Sequence, residues 1–288
     1  PIRGDSHLNY PLTLMGATAH LRQALLDARH YQLQQSLSSK FPERITTPHA
    51  DPVLRSLATL LDRETKALFL VPPHPERDEF DRAVDFASEF GLNAVYVIGT
   101  EPFMAIDRLS ATKAPVIVSL DHGEKPKFSL KEKFKDKELR ISKVDGLRAD
   151  VEPPKRYQDD RFDHWKKRAS LPGQLAKAGV RFAFSSKGLK QAADLLSEVR
   201  ICIEHGLSED QAVAALTQSP ADILGISSQL GSLEAGKRGH VVILSGSLAD
   251  KGTKVRYVLM DGLIYEYNTP KKDQDKRSEE HTSELQSL

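Results

Sequence analysis

Four short apolar runs, each followed by a stretch of helical character, constrain this chain more than any other feature. Ala67 to Val71 reads ALFLV, Ala94 to Ile98 AVYVI, Pro115 to Leu120 PVIVSL, and Val180 to Ser185 VRFAFS. Runs of this length, rich in β-branched and aromatic residues, read as strands. Their near-continuous apolar character is that of strands covered on both faces, the habit of parallel sheets. The segments that follow read as helices: Glu76 to Phe90, with Phe80, Ala83, Val84 and Ala87 on one side, then Pro102 to Leu109, Asp159 to Ala178 with a break near Pro172, and Lys190 to His205. Strand-helix alternation of this kind predicts parallel βαβ units and an α/β fold. Two helices precede the first strand, at Gly16 to Gln35 and at Asp51 to Arg63, the latter with Asp51 as N-cap and Pro52 at the first helical position. Four strands do not close an eight-stranded barrel.

Composition narrows the classes. The 288 residues carry 41 basic and 40 acidic side chains, a formal charge of +1, so no global field points to nucleic acid or an anionic membrane. Residues 125–143 hold eight basic and three acidic side chains and read as a solvated insertion after the third strand, not as a nucleic-acid contact. The single cysteine, Cys202, excludes an intramolecular disulfide and a cysteine-based zinc site. No apolar run reaches the length of a membrane span. There is no Walker loop, dinucleotide-binding glycine fingerprint or nucleophile elbow; Ser185-Ser186 lacks the flanking glycines an elbow needs. The chain opens at Pro1 without an initiator methionine and is expected to lack its true beginning. At the other end Arg277 to Leu288 resembles a translated sequencing adapter and is set aside with His281, and the charged Lys271 to Lys276 run reads as a frayed tail.

Residues 216–267 hold the motifs. Thr217, Pro220, Ala221, Leu224 and Gly225 fit T-x-x-P-A-x-x-L-G; Gly231, Ser232, Leu233, Gly236 and Lys237 fit G-S-L-x-x-G-K; Val258, Asp261 and Gly262 close a hairpin. This order of motifs resembles the C-terminal segment of the amidohydrolase superfamily, and the strand spacing is most similar to its imidazolonepropionase-like members. The resemblance implies a partial TIM-type barrel, its last four strands, followed by part of a small β domain, with the first four strands and the opening of that β domain upstream. The expected division is a barrel domain over 1–225, a partial β domain over 226–268 and a disordered tail over 269–288.

The resemblance also says where chemistry belongs. Active sites of parallel α/β barrels lie at the C-terminal ends of the strands. Family members hold metal ions there with a His-x-His pair after the first strand, histidines after the fifth and sixth, and an aspartate after the eighth, and they hydrolyse carbon-nitrogen bonds other than peptide bonds with metal-activated water. Carried onto this chain, the fifth-strand position falls on Val71-Pro72-Pro73, with His74 one place late. The sixth falls on Ile98 or Gly99, and the eighth on Ser186-Lys187. An ammonium group cannot ligate a divalent cation at neutral pH.

The expected ligand set in this chain is therefore none, with zinc bound only if upstream residues supply ligands. Asp121, His122 and Lys187 are the candidate catalytic residues, and His74, Thr100 and Ser186 the candidate binding residues. Lys187 has two readings, an ammonium standing in the ion's place, or a side chain that points outward or pairs with an acid near the barrel mouth. Asp121 and His122 follow the third strand directly and, being adjacent, are expected to point to opposite sides. His20, His30, His164 and His205 fall on helices and carry no assigned chemistry. His240 stands where the family has an aspartate in a structural strand. The expected function is a hydrolase acting on a small molecule, without nucleic-acid or membrane partners. The alternative is a metal-free member that binds or scaffolds.

Overall fold

The computed structural model describes residues 13–63, 65–71, 77–101, 105–126 and 154–267. His74 and most of the basic insertion lie outside these residues. The chain divides into two compact units, residues 1–71 with 78–96, and residues 72–77 with 97–288. The boundary expected at 225 falls inside the second unit.

In the first unit, helix α1 (Leu14–Lys40) starts where the Thr13 hydroxyl accepts from the Gly16 N–H at 3.0 Å, and it extends past the expected end at Gln35. Helix α2 (Pro52–Leu61) starts as its sequence requires: Asp51 Oδ1 accepts from Val53 N at 2.8 Å and Leu54 N at 3.0 Å, satisfying two otherwise orphaned donors. The two helices pack on each other, Leu25, Ala28, Tyr31 and Ala58 are buried, and Gln32 Nε2 donates to Asp62 Oδ2 at 2.7 Å. Strand β1 (Ala67–Leu70), helix α3 (Arg77–Phe90) and strand β2 (Ala94–Ile98) follow. Rings of Phe69 and Phe80 lie 5.6 and 5.4 Å from that of Tyr96, and Phe86 lies 5.2 Å from Phe90, so aromatic contacts fill this core. Leu68 and Leu70 remain exposed on β1, which alternates where a fully covered strand would not.

The second unit continues with helix α4 (Ile106–Thr112), strand β3 (Val116–Ser119), helix α5 (Lys155–Lys177) and strand β4 (Phe182–Ser185). β3 and β4 pair in parallel with Val116 opposite Phe182 and Ser119 opposite Ser185. Within this unit β3 and β4 are neighbours in chain order, as β1 and β2 are in the first. A 3₁₀ turn (Ala192–Asp194) leads into helix α6 (Leu195–Glu204), then α7 (Glu209–Leu216) and α8 (Gln218–Leu224). Strands β5 (Val241–Leu244), β6 (Val255–Met260) and β7 (Leu263–Glu266) form a separate antiparallel sheet in that order. Leu109, Val116, Val118, Leu120, Leu171, Leu175 and Val199 are completely buried and form the core.

One expectation is corrected. Helix α5 runs unbroken through Pro172. Proline removes one ladder bond, but Leu171, Pro172, Gly173 and Leu175 are all buried there, and packing outweighs local propensity. The family motif has a steric basis. A Cβ on Gly231 would lie 2.7 Å from Ala221 Cβ and 3.2 Å from Thr217 O, so the motif's glycine and alanine are small because they pack on each other. The loop joining β5 to β6 is tied to the helices: Glu209 accepts from Leu248 N at 2.7 Å, and Arg200 donates to the carbonyls of Leu248 and Thr253 at 3.0 and 2.8 Å.

Candidate functional site

The ends of β3 and β4 meet. Ser119 Oγ donates to the Lys187 carbonyl, and a Cβ placed on Gly188 would come within 3.3 Å of Asp121 Cβ. Buried Thr100 donates from Oγ1 to the Asp121 carbonyl at 2.9 Å, so its hydroxyl is spent on holding the strand end in place. Asp121 is exposed, and its Oδ1 accepts from Gly123 N at 3.1 Å, closing an Asx turn. Ser186 and Lys187 are exposed, and Lys187 makes no ion pair among the described residues.

His122 is 0 % exposed. Its Nε2 lies 3.3 Å from Cys202 Sγ on α6, and its Nδ1 has no hydrogen-bond partner among the described residues. Burial, and after it the Arg168 guanidinium, lower the imidazole pKa to about 4, while the Asp121 carboxylate opposes them. Burial pushes the Cys202 thiol well up, with the Glu198 charge adding to it. The pair is therefore a neutral imidazole against a neutral thiol at pH 7, not an activated nucleophile.

A cavity of about 470 Å³ opens beside these residues, bounded by the turn after β3, the turn after β4 and helix α6. Its aromatic wall is Trp165, whose Nε1 donates to the Gly123 carbonyl at 3.2 Å and over whose ring Lys125 Nζ stands at 5.5 Å. Glu124 pairs with Lys190 at 2.7 Å and Glu204 with Lys251 at 2.8 Å on the rim. Three further carboxylates line the space: Asp121, Asp194 and Glu198. Burial and the charges of Asp121 and Asp194 raise the Glu198 pKa. Glu198, Asp194 and Trp165 were not among the candidates from sequence, since they lie on segments read only as helices, and only the fold brings those segments against the turn after β3.

The ligand geometry of a metal centre does not fit the described residues. Ile98-Gly99 and Ser186-Lys187 stand at two strand ends where the resemblance places ligands, and His122 is turned into the core. Among the described residues no three His, Cys, Asp or Glu side chains converge as metal ligands would.

A parallel βα sheet with a cavity beside the C-terminal ends of β3 and β4 defines an α/β protein of the TIM-barrel type. The sequence model of the amidohydrolase family matches residues 126–277, more than half of the chain, and the chain belongs to that family. Among solved structures, it is similar to an amidohydrolase from Thermotoga maritima MSB8, with a TM-score of 0.64 and 22 % identity over 89 % of this chain and 57 % of that one. It is also similar to a Xaa-Pro dipeptidase solved with methionine in its active site, with a TM-score of 0.45 and 18 % identity over 75 % of this chain and 57 % of that one. The chain thus spans 57 % of the length of each. No curated protein matches it in sequence.

Proposed function

We propose that the protein is a hydrolase of carbon-nitrogen bonds other than peptide bonds, acting on a small molecule, with ring opening of cyclic amides as the reaction to test first. The family match over residues 126–277 carries this reading. A cavity of about 470 Å³ beside the ends of β3 and β4 supports a small substrate, since ligand pockets run from roughly 300 to 1,000 Å³. Family members are generally metal-dependent, and a metal would need ligands other than the described residues offer, so no step is assigned to it here.

A specific observation favours a second reading, a metal-free member that binds without hydrolysing. Lys187 occupies the strand-end position where the resemblance requires a carboxylate. One pair of measurements separates the two. The full-length protein is dialysed and assayed for zinc, iron and manganese, and then offered a panel of cyclic amides, ureas and carbamates. Turnover above the uncatalysed rate is the expected result for a hydrolase. Absence of both metal and turnover, with retained ligand binding, would overturn that reading in favour of the second.

A further inference from the structure

The cavity beside α6 has a buried floor and a charged rim. His122 and Trp165 line it at 0 % and 3 % exposure, whereas Glu124, Lys190 and Lys251 line it with most of their side-chain surface in water. The turn after β3 runs from floor to rim, and its two halves are held by different forces. Its base is fastened by hydrogen bonds: Thr100 Oγ1 donates to the Asp121 carbonyl at 2.9 Å, Gly123 N to Asp121 Oδ1 at 3.1 Å, and Trp165 Nε1 to the Gly123 carbonyl at 3.2 Å. Its tip, Glu124 and Lys125, is exposed and held by charge. Lys190 Nζ, on the turn after β4, donates to Glu124 Oε1 at 2.7 Å, and Lys125 Nζ stands 5.6 Å from the centre of the Phe162 ring and 5.5 Å from that of Trp165, both on α5.

Ion pairs and cation–π contacts are worth little where water reaches them, so the tip lets go far more readily than the base. Gly123 lies between the two at φ 68°, a conformation that glycine enters and leaves without the steric cost a side chain would meet. Trp165 shows what the tip covers. Its indole belongs to the cavity wall and is nevertheless almost wholly buried, with the Lys125 ammonium standing over its face. Lifting the tip uncovers that ring and parts the turn after β3 from the turn after β4, which Glu124 and Lys190 now bridge.

We propose that Glu124 and Lys125 form a salt-sensitive lid on this cavity, latched by Glu124 on Lys190 and by Lys125 on Phe162 and Trp165, and opening about Gly123 when those charges are screened or removed. The lid governs access to the space whatever is bound or turned over there, so it stands or falls apart from the hydrolase reading.

Trp165 is the only tryptophan in the chain, so its fluorescence reports on the lid directly. Quenching by acrylamide, which carries no charge, is measured on the full chain at about 0.01 M and about 1 M salt, between which the screening length falls from about 30 to about 3 Å. The quenching constant of the wild type should rise about twofold or more with salt. Lys125→Gln combined with Lys190→Gln should be quenched at low salt as strongly as the wild type is at high salt, and should respond little to salt. Its circular dichroism should be unchanged, because both side chains are exposed. Glu124→Gln, which releases the latch from the other partner and leaves Lys125 in place, should fall between the two. A wild-type constant that does not change with salt, or variants quenched no more than the wild type at low salt, would each overturn the proposal. Should the double variant fail to fold, Glu124→Gln decides alone.

Discussion

Asp121 and His122 are neighbours along the chain and opposite in environment. The carboxylate is exposed and closes a turn; the imidazole is sealed against α6. Alternation along an extended backbone made that divergence legible from sequence. Which of the two would be buried was not, because Cys202, 80 residues further on, completes the pocket around the ring. The burial has a consequence for pH. His122 has a folded pKa of about 4 against 6.5 unfolded, so between these values the unfolded chain binds a proton that the folded chain refuses. Its contribution to stability is complete above pH 6.5 and is lost as pH falls through the window, to a total of about 3 kcal/mol. Glu198 acts in the opposite sense, since its raised pKa favours the folded state at low pH. Urea unfolding across this range should show stability climbing with pH in the wild type and a flatter slope in His122→Leu. Equal slopes would mean that the imidazole titrates in the folded state as it does in water.

Among the elements, helix α5 shows how packing overrules local preference. A proline inside a 23-residue helix, five residues before its end, reads in sequence as a break, yet the helix continues because its last turns are pressed into the core. Gly173, next to that proline, is where α5 meets the turn after α6. A Cβ there would lie 2.8 Å from Gly206 O and 2.9 Å from Gly206 C, both backbone atoms that cannot swing aside. Gly173→Ala should therefore cost about 1–3 kcal/mol in chemical denaturation, with α5 pushed off α6. A neutral result would show that the helix can slide to make room. Other elements were plain in sequence because their signals are local. Asp51-Pro52 is an N-cap followed by a first-turn proline, and β2 runs from Ala94 to Ile98 as its apolar run does. Asp261-Gly262, both at positive φ, make the tight turn between β6 and β7 that an Asp-Gly pair favours.

For the molecule as a whole, β7 bears on behaviour in solution. It is the outer strand of the small sheet and is exposed throughout, with Leu263 and Ile264 at 59 % and 68 %. Val242, at 57 %, adds to the exposed apolar surface of the same sheet. An apolar open edge of this kind pairs readily with other chains. Leu263→Lys combined with Ile264→Thr should raise the concentration at which this chain stays monomeric by light scattering, with its circular dichroism unchanged, because neither side chain contributes to a core. Unchanged association would place the sticky surface elsewhere. Strand and helix order, the parallel class and the family motif were all readable in the residues, because short-range periodicity, turn chemistry and the small-residue contact of Ala221 with Gly231 are written locally. The cavity, the surplus carboxylates around Glu198 and the sealed imidazole of His122 were settled only by the tertiary structure. They join side chains more than seventy residues apart, and the energy of a charge or an unpaired acceptor depends on what the fold places beside it.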